Sequence, residues 1–333
     1  MLFNIIWLSL RNRMKEKESI VYFYIPKQVT ILDLTGIVQV FEEAINIGFD
    51  YHLQFISNDS CIKSSSGIEL SSLKNFRETN PTKNDIVFIF GSSTRKIINP
   101  NEDKTFYDWL QKANANEATI CSVCSGAFLL AESGLLNNKQ CTIHWDLINR
   151  MKVDFPHVKI EENTLFTKSD NIYTCAGVVT GIDLALFLIE ERHGKQIATD
   201  VAKELVVYKR RLATDEQVSV YVQHRSHGDE KIHAVQDWII HNLEKASTID
   251  DLAELVFVSP RNLTRTFKKQ TGITIAEYRT KLRIEKAKSL LTNSDYKVEH
   301  IASLCGYKTS KQLRMVLEKH FEALPTEIKN KLS

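Results

Sequence analysis

The stretch SPRNLTRTFKKQTG, residues 259–272, has the composition of one short helix with an apolar face and a basic face. Serine followed by proline is a common helix start, because serine caps the first turn and proline fits its first position. Leu263 and Phe267 lie four residues apart and share the apolar face, and Gly272 provides the stop. The outer face carries the side chains that can reach DNA: Arg261, Asn262, Thr264, Arg265, Lys268 and Lys269. The stretch therefore predicts a recognition helix suited to a major groove.

The same helical arrangement occurs a second time toward the C-terminus. Apolar residues at helical spacing occupy 249–255 ahead of the first recognition helix, and they occupy 298–304 ahead of a second helix predicted over 309–320. The outer face of this second helix carries the polar side chains Lys311, Gln312 and Arg314. Two such pairs predict an all-α domain with two helix-turn-helix motifs, which would bind double-stranded DNA.

A long helix is predicted between the two motifs, over 274–291. Thr274 and Glu277 are spaced for a capping box, in which each side chain bonds to the backbone amide of the other residue. About eighteen residues at 1.5 Å each give a rod of about 27 Å. Such a rod would hold the two motifs a little under one DNA turn apart.

These features resemble the DNA-binding domain of the AraC family over nearly all of positions 232–328. The resemblance rests on these residues: Ser259-Pro260, Phe267 to Gly272, Arg283, Ala287, Leu290, Leu291, Gly306-Tyr307, His320-Phe321 and Pro325. Four residues of the second motif depart from the family pattern and imply a weaker grip by that half: Leu313, Met315, Leu317 and Glu322. The alternative that the sequence leaves open is a helical bundle whose basic face meets only solvent.

Charge is unevenly distributed along the chain. The whole sequence of 333 residues has a net charge of +2, but residues 232–333 hold about 17 Lys and Arg against about 12 Asp and Glu. This balance leaves residues 1–231 mildly acidic. Because contacts with DNA phosphates require positive charge locally, the partition favours a C-terminal domain that binds DNA.

Strands and helices alternate in the preceding part of the chain, from about residue 19 onward. The predicted strands are Ile20–Ile25, Tyr51–Ser57, Asp85–Phe90 and Thr119–Val123, and the predicted helices are Leu34–Ile47 and Thr105–Asn114. This alternation is typical of a doubly wound α/β sheet of the flavodoxin-like kind, in which ligand sites form at the carboxyl ends of the strands. The apolar run at 2–10 is too short to span a bilayer and lacks signal-peptide features, so residues 1–18 are predicted to be an extension.

Cys124 directly follows the fourth of these strands and precedes a helix predicted over 125–134. The dipole and free amides of a helix N-terminus favour the thiolate form of a nearby sulfur. The position therefore predicts a cysteine of lowered pKa, with the backbone amides of Ser125 and Gly91 placed to hold an oxyanion. The alternative is a buried cysteine that acts as a small apolar residue.

Four segments resemble the PfpI/ThiJ, or class I glutamine amidotransferase-like, superfamily over about residues 19–210: LDLTG at 32–36, VCSGAFLLAESGLL at 123–136, TIHW at 142–145 and AGVVTGIDLALFLIEE at 176–191. The resemblance implies that Cys124 is assisted by Asp33 and His144. Protease-like members have histidine where this chain has Ser125, so a peptidase would lack its base. Among enzymes, the pattern is most similar to isocyanide hydratases. The plainer alternatives are that Asp33 caps a helix and that His144 is a packed ring.

The fusion of the two parts resembles the GlxA-type subgroup of AraC-family regulators, in which the amidotransferase-like half is a sensor. The implied organisation is an extension (1–18), a sensor domain (19–211), a linker (212–231) and a DNA-binding domain (232–333). The expected function is that of a transcription regulator, not an enzyme, which binds promoter DNA as a homodimer and responds to a small nitrogenous metabolite. The open alternative is a cysteine-dependent hydratase or amidohydrolase joined to a DNA-binding domain.

The six cysteines are scattered, and reduced thiols in the cytoplasm are their simplest interpretation. Cys121 and Cys124 form a C-x-x-C spacing, but Cys121 lies inside a predicted strand, so a redox pair is not expected. No histidine or cysteine spacing indicates a metal site, and no cofactor is expected. The sequence therefore predicts a cytoplasmic protein with no membrane partner.

Overall fold

The computed structural model describes residues 19–92, 104–207, 211–213, 215–293 and 296–321, together with 324, 325 and 328. The predicted extension, 1–18, lies outside the described residues. The chain divides into two compact units between Gln217 and Val218. Two clusters of buried apolar side chains form the core of each unit.

The N-terminal unit contains a sheet with helices on both faces. Its strands are β1 Ser19–Tyr24, β2 Tyr51–Ser57, β3 Cys61–Lys63, β4 Glu69–Ser71, β5 Lys74–Asn75, β6 Ile86–Phe90, β7 Thr119–Val123, β8 Gln140–Cys141, β9 Lys159–Ile160, β10 Phe166–Ser169 and β11 Ile172–Cys175. Its helices are α1 Ile31–Asn46, α2 Lys104–Ala115, α3 Gly126–Glu132, α4 Ile148–Asp154, α5 Thr180–His193 and α6 Lys195–Glu204, with short 3₁₀ turns at Phe76–Glu78 and Trp145–Leu147.

The main sheet has seven strands in the order β10-β11-β7-β6-β1-β2-β5. All neighbouring pairs are parallel except β10 with β11. Successive residues of β1 face opposite sides of the sheet, so that Phe23 packs in one apolar cluster and Tyr24 in the other. Because both faces are buried, the central strands are mainly apolar, as is usual for parallel strands between helix layers. The predicted doubly wound α/β sheet is confirmed.

Several element boundaries differ from the predicted ones. Helix α1 begins at Ile31, three residues before the predicted start, because the extended backbone ends at Thr30. Helix α3 is shorter than predicted and ends at Glu132. The antiparallel pair of β3 and β4 and the two-residue strands β8 and β9 were not predicted, since strands of two or three residues are too short to show an alternating pattern.

The C-terminal unit is helical in the part that the structure describes. Its helices are α7 Val220–Gln223, α8 Glu230–His241, α9 Ile249–Leu255, α10 Pro260–Thr271, α11 Ile275–Asn293, α12 Val298–Leu304 and α13 Ser310–Phe321. Both predicted helix-turn-helix pairs are present, as α9 with α10 and as α12 with α13. Glu277 accepts a hydrogen bond from the Thr274 amide at 2.7 Å, and Thr274 Oγ1 accepts one from the Glu277 amide at 3.2 Å. The predicted capping box of α11 is therefore formed.

Helix α11 connects the two motifs through their cores. Tyr278 near its start packs with the first motif, and Ala287 nearer its end packs with the second. Arg283 lies between them and donates Nε and Nη2 to the Leu243 carbonyl at 3.1 and 2.8 Å, while its guanidinium lies 5.5 Å from the centre of the Tyr307 ring. Charge-assisted hydrogen bonds of this kind restrict the two motifs to one arrangement within the unit.

The predicted linker, 212–231, is divided between the two units. Gln217 Nε2 donates to the Ile143 carbonyl at 2.9 Å in the N-terminal unit. Val220 of α7 is instead buried in the core of the C-terminal unit. These positions of the linker are therefore packed against one unit or the other.

Candidate functional site

Cys124 lies on a sharp turn between β7 and α3. Its φ of +54° is in the left-handed region, which is uncommon for a residue other than glycine. The Cys124 amide donates to the Cys175 carbonyl at 3.0 Å, which ties the turn to the neighbouring strand β11. The strand-to-helix elbow predicted from the sequence is therefore present.

Two glycines permit the close packing of this elbow. A Cβ atom on Gly126 would lie 2.2 Å from the Ile89 carbonyl oxygen of β6. A Cβ atom on Gly177 would lie 2.3 Å from Cβ of Cys124 and 3.0 Å from its sulfur. All three distances are below van der Waals contact, so the elbow requires glycine at each of the two positions.

The Gly91 loop lies against the same elbow. Ser125 Oγ donates to the Ser92 carbonyl at 2.7 Å, which fixes Ser125 beside Gly91 as the sequence predicted. The continuation of this loop, 93–103, lies outside the described residues. Of the predicted site, Gly91, Ser125 and Cys124 are thus brought together.

Asp33 is in the first turn of α1 and is only 1% exposed. It accepts a hydrogen bond from the Val178 amide, and Val178 directly follows the glycine that packs on Cys124. Burial raises the pKa of the Asp33 carboxyl to about 6, although hydrogen bonds from Val178 and Thr30 act in the opposite direction. Within the described residues, no lysine or arginine forms an ion pair with this carboxyl.

The expectation that Cys124 has a lowered pKa is wrong for this structure. The residue is 5% exposed, and burial raises the pKa of its thiol well above the ordinary value. The charge of Asp33 raises this pKa further, and the hydrogen bond from the Ser125 amide is too weak to reverse the effect. Loss of hydration outweighs the helix terminus here, because α3 has only seven residues and the sulfur is enclosed.

The side-chain hydrogen bond of His144 involves neither Cys124 nor Asp33. Its Nδ1 accepts a hydrogen bond from the Asp146 amide at 3.4 Å, so that it caps the short 3₁₀ turn. The side chain is partly buried, and loss of hydration lowers the pKa of the imidazole. In the described part of the chain the ring makes no hydrogen bond to Cys124. This geometry does not make His144 a general base for Cys124.

Sequence reasoning missed the turn at Gly177 and Val178. Both residues have positive φ, +89° and +54°, and together they connect Asp33 to Cys124. The segment AGVVTG carried a weak signal, since it is a short glycine-containing link between a strand and a helix. The contact between Asp33 and Val178 joins residues 145 positions apart and has no local signature.

Exposure of the thiols leads to a prediction about their order of alkylation. Cys61 is exposed, whereas the other five cysteines are buried. Brief treatment of the native chain with iodoacetamide is expected to label Cys61 first, because a thiolate must be both formed and accessible. Peptide mass spectrometry would measure the order. Faster labelling of Cys124 than of Cys61 would contradict the burial described for the elbow.

The predicted DNA-facing side chains lie on the outer faces of the two recognition helices. All nine are exposed: Arg261, Asn262, Thr264, Arg265, Lys268 and Lys269 on α10, and Lys311, Gln312 and Arg314 on α13. The buried faces carry Leu263 and Phe267 in the first helix and Leu313 and Leu317 in the second. Four of the six residues on α10 are basic, so this face is a positive surface of the kind that DNA phosphates attract.

Among the residues that the structure describes, no helix has the length and apolarity needed to cross a membrane. Among the same residues, no group of three or more histidine, cysteine or carboxylate side chains is arranged to hold a metal ion.

Comparison with known proteins supports both units. The DJ-1/PfpI family matches residues 19–191, and a helix-turn-helix domain matches residues 252–331. The transcriptional regulator CdhR of Pseudomonas aeruginosa is 28% identical over 246 residues, which cover 74% of this chain and 72% of CdhR. The regulator GlxA of Rhizobium meliloti is 28% identical over 64% of this chain and 65% of GlxA. The chain thus spans about two thirds of the length of these regulators.

Two other similarities each cover a little over half of the chain. An isonitrile hydratase of Pseudomonas putida is 27% identical over 187 residues, which cover 55% of this chain and 76% of that enzyme. A crystal structure described as an AraC family transcriptional regulator from Pseudomonas putida has a TM-score of 0.50 at 18% identity, over 56% of this chain and 98% of that one. At this level of identity the structural similarity supports the fold alone.

Proposed function

This chain belongs to the DJ-1/PfpI family and is a DNA-binding transcription regulator of the GlxA-type AraC group, and we propose that its α/β unit binds a small nitrogen-containing effector at the cysteine elbow. The regulators CdhR and GlxA match 74% and 64% of the chain, whereas the hydratase matches 55% of it. In this proposal the elbow binds the effector without covalent chemistry.

The observation that carries the effector proposal is the buried Asp33 carboxyl. With a pKa of about 6 it is largely ionised at neutral pH, although burial of an uncompensated charge is costly. An ammonium or guanidinium group would supply both the opposite charge and the N–H donors that this carboxylate accepts. The carboxyl is in the first turn of α1, just after the carboxyl end of the parallel strand β1. The carboxyl ends of parallel strands are where α/β sheets usually bind ligands.

Calorimetric titration of the full chain would test the effector class. We expect a cationic probe that carries N–H donors, such as arginine, to bind more tightly than an uncharged analogue of the same shape. The variant Asp33→Asn should reduce the affinity for the cation by about tenfold or more, because one charge-assisted contact is lost. Equal binding of charged and uncharged probes would refute the role assigned to Asp33.

Affinity for a cationic effector should depend on pH in a defined direction. Because the pKa of Asp33 is raised, its protonated form stabilises the folded chain at low pH. This contribution to the free energy of unfolding is lost as the pH rises through about 6. The cation instead needs the ionised form, so binding should weaken by about tenfold between pH 7 and pH 5. Titrations in the Asp33→Asn variant should lose this dependence. An unchanged pH profile in that variant would assign the effect to another group.

Removal of the sulfur distinguishes a sensor from an enzyme. In a reporter strain, Cys124→Ala is expected to shift the effector dose by about tenfold or less, since a binding pocket loses one contact of about 1 kcal/mol. A nucleophile could not be replaced in this way, because the covalent route itself would disappear. A folded, DNA-bound alanine variant that responds at no effector concentration would show that chemistry at Cys124 is part of signalling.

The residues proposed to contact DNA are the nine exposed side chains of α10 and α13, with the first helix contributing more of the positive charge. We also propose that the chain acts as a homodimer formed through its α/β unit, as the resemblance to GlxA-type regulators implies. Sedimentation equilibrium of the full chain would measure this directly, and a monomer at micromolar concentration would contradict it.

A further inference from the structure

The two recognition helices share one pattern of buried and exposed positions. From Arg261 to Gln270 in α10, and from Lys311 to His320 in α13, the succession of exposed, partly buried and buried residues is identical. The repeat offset is 50 residues, so that the buried Leu263 corresponds to the buried Leu313. Each outer side chain of the first helix therefore has a structural counterpart in the second.

One position of this pattern lies at the centre of the outer face. Successive residues of a helix are rotated by about 100°. A residue midway between two buried residues spaced four apart therefore points directly away from the core. That residue is Arg265 in α10, between Leu263 and Phe267, and it is Met315 in α13. Met315 is 61% exposed.

The two side chains at this central position have different chemistry. An arginine presents a fork of N–H donors, which pairs with the two acceptors of guanine in the major groove. A methionine has no donor and offers only an apolar, polarisable surface. The one apolar group on the major-groove edges of the bases is the C5-methyl group of thymine.

Neighbouring polar side chains of α13 already have partners inside the protein. Gln312 accepts a hydrogen bond from the Lys308 amide at 3.1 Å, and Arg314 lies 4.0 Å from a carboxylate oxygen of Glu299. The exposed Lys311 and Lys319 still give the face positive charge that matches DNA. Met315 is a large outward side chain of this face that, among the residues the structure describes, belongs to no apolar cluster and forms no polar contact.

We propose that Met315 contacts thymine methyl groups at the centre of the second half-site, while Arg265 occupies the corresponding position over the first. The proposal rests on the DNA-binding function of the chain and adds the base class that each motif prefers. Its consequence is an operator with two chemically unequal halves, one centred on guanine and one on thymine. Such an operator fixes the direction in which one chain lies along the DNA.

Thymine methyl groups can be removed one at a time. Duplexes preferred by the full-length chain would be selected from a random-sequence pool, and each thymine would then be replaced by deoxyuridine, which lacks only the methyl group. We expect about a fourfold loss of affinity for each contacted methyl, the equivalent of one buried CH₂. The loss should fall in one half-site and should disappear in the variant Met315→Ala. Losses that are absent, or that persist in Met315→Ala, would overturn the proposal.

A reciprocal pair of substitutions provides the matched control. Repeating the selection with Met315→Arg should change the preferred base in the second half-site to guanine, and Arg265→Met should change the preferred base in the first half-site to thymine. Both residues are exposed, so neither change should affect folding, which circular dichroism would verify. Unaltered preferences in both variants would overturn the assignment of Met315. Failure of the unsubstituted chain to select any duplex would instead refute DNA binding itself, and this proposal with it.

Discussion

The variant Gly126→Ala is expected to destabilise the N-terminal unit by about 3 kcal/mol or more, which is at or beyond the upper end of the usual overpacking range. The added Cβ would lie 2.2 Å from the carbonyl oxygen and 3.0 Å from the carbonyl carbon of Ile89. Both atoms belong to the backbone of β6, a strand inside the sheet that pairs on both sides, so no flexible side chain can move away. Relief would require the elbow that carries Cys124 to shift as a whole.

Urea denaturation of the full chain, followed by circular dichroism and tryptophan fluorescence, would measure the loss for Gly126→Ala. Gly228→Ala is the matched control, since a Cβ there meets no atom within 4 Å and the residue does not have a positive φ. The control should change stability by less than about 0.5 kcal/mol. A Gly126→Ala variant as stable as the control would show that the close approach of elbow and strand is not present.

The variant Arg265→Ala is expected to lower affinity for the preferred duplex by about 1–3 kcal/mol and to lower it much less for unrelated sequences. Arg265 lies at the centre of the outer face of α10, where a guanidinium can reach base edges. Lys268→Ala should instead weaken binding to both duplexes alike and reduce the salt slope by about one, because a lysine that contacts phosphate does not distinguish bases. Fluorescence anisotropy at several salt concentrations would measure both effects.

A charge control separates local contacts from the overall field of the protein. Lys203 is an exposed lysine of the N-terminal unit that is paired with Asp200, so Lys203→Ala removes one positive charge far from α10 in the sequence. This variant should leave both affinities nearly unchanged, since Lys203 is not on either of the helices proposed to contact DNA. Equal and sequence-independent losses from Arg265→Ala and Lys268→Ala would contradict the roles assigned to these two residues.

The sequence predicted the helices of both motifs, the helix between them and four of the parallel strands because the signals of these elements are local. Serine and proline at 259–260, the capping box at Thr274 and the four-residue apolar spacings each depend on neighbours within one or two turns. The strand β6 was equally clear, since burial on both faces leaves an uninterrupted apolar run, whereas the four-residue inner strand β11 was missed. The edge strand β10 was missed because its half-exposed residues lack such a run.

The chemistry of the elbow could not be predicted in the same way. The position of Cys124 at a strand-to-helix turn follows from the local sequence, but its pKa depends on how deeply distant segments bury it. Asp33 is placed near this cysteine by its hydrogen bond with Val178, a residue 145 positions further along the chain. The local sequence therefore indicated the elbow at Cys124 and the resemblance implied Asp33 beside it, while the sign of the pKa shift required the fold.

Binding of the full-length chain to its selected duplex and to a scrambled duplex of equal length, over a series of salt concentrations, tests the central claim most directly. The logarithm of each affinity should fall linearly with the logarithm of the salt concentration. The selected duplex should bind at least about a thousandfold more tightly than the scrambled duplex. The same affinity for the two duplexes, or an affinity independent of salt, would contradict the assignment of this chain as a sequence-specific DNA-binding regulator.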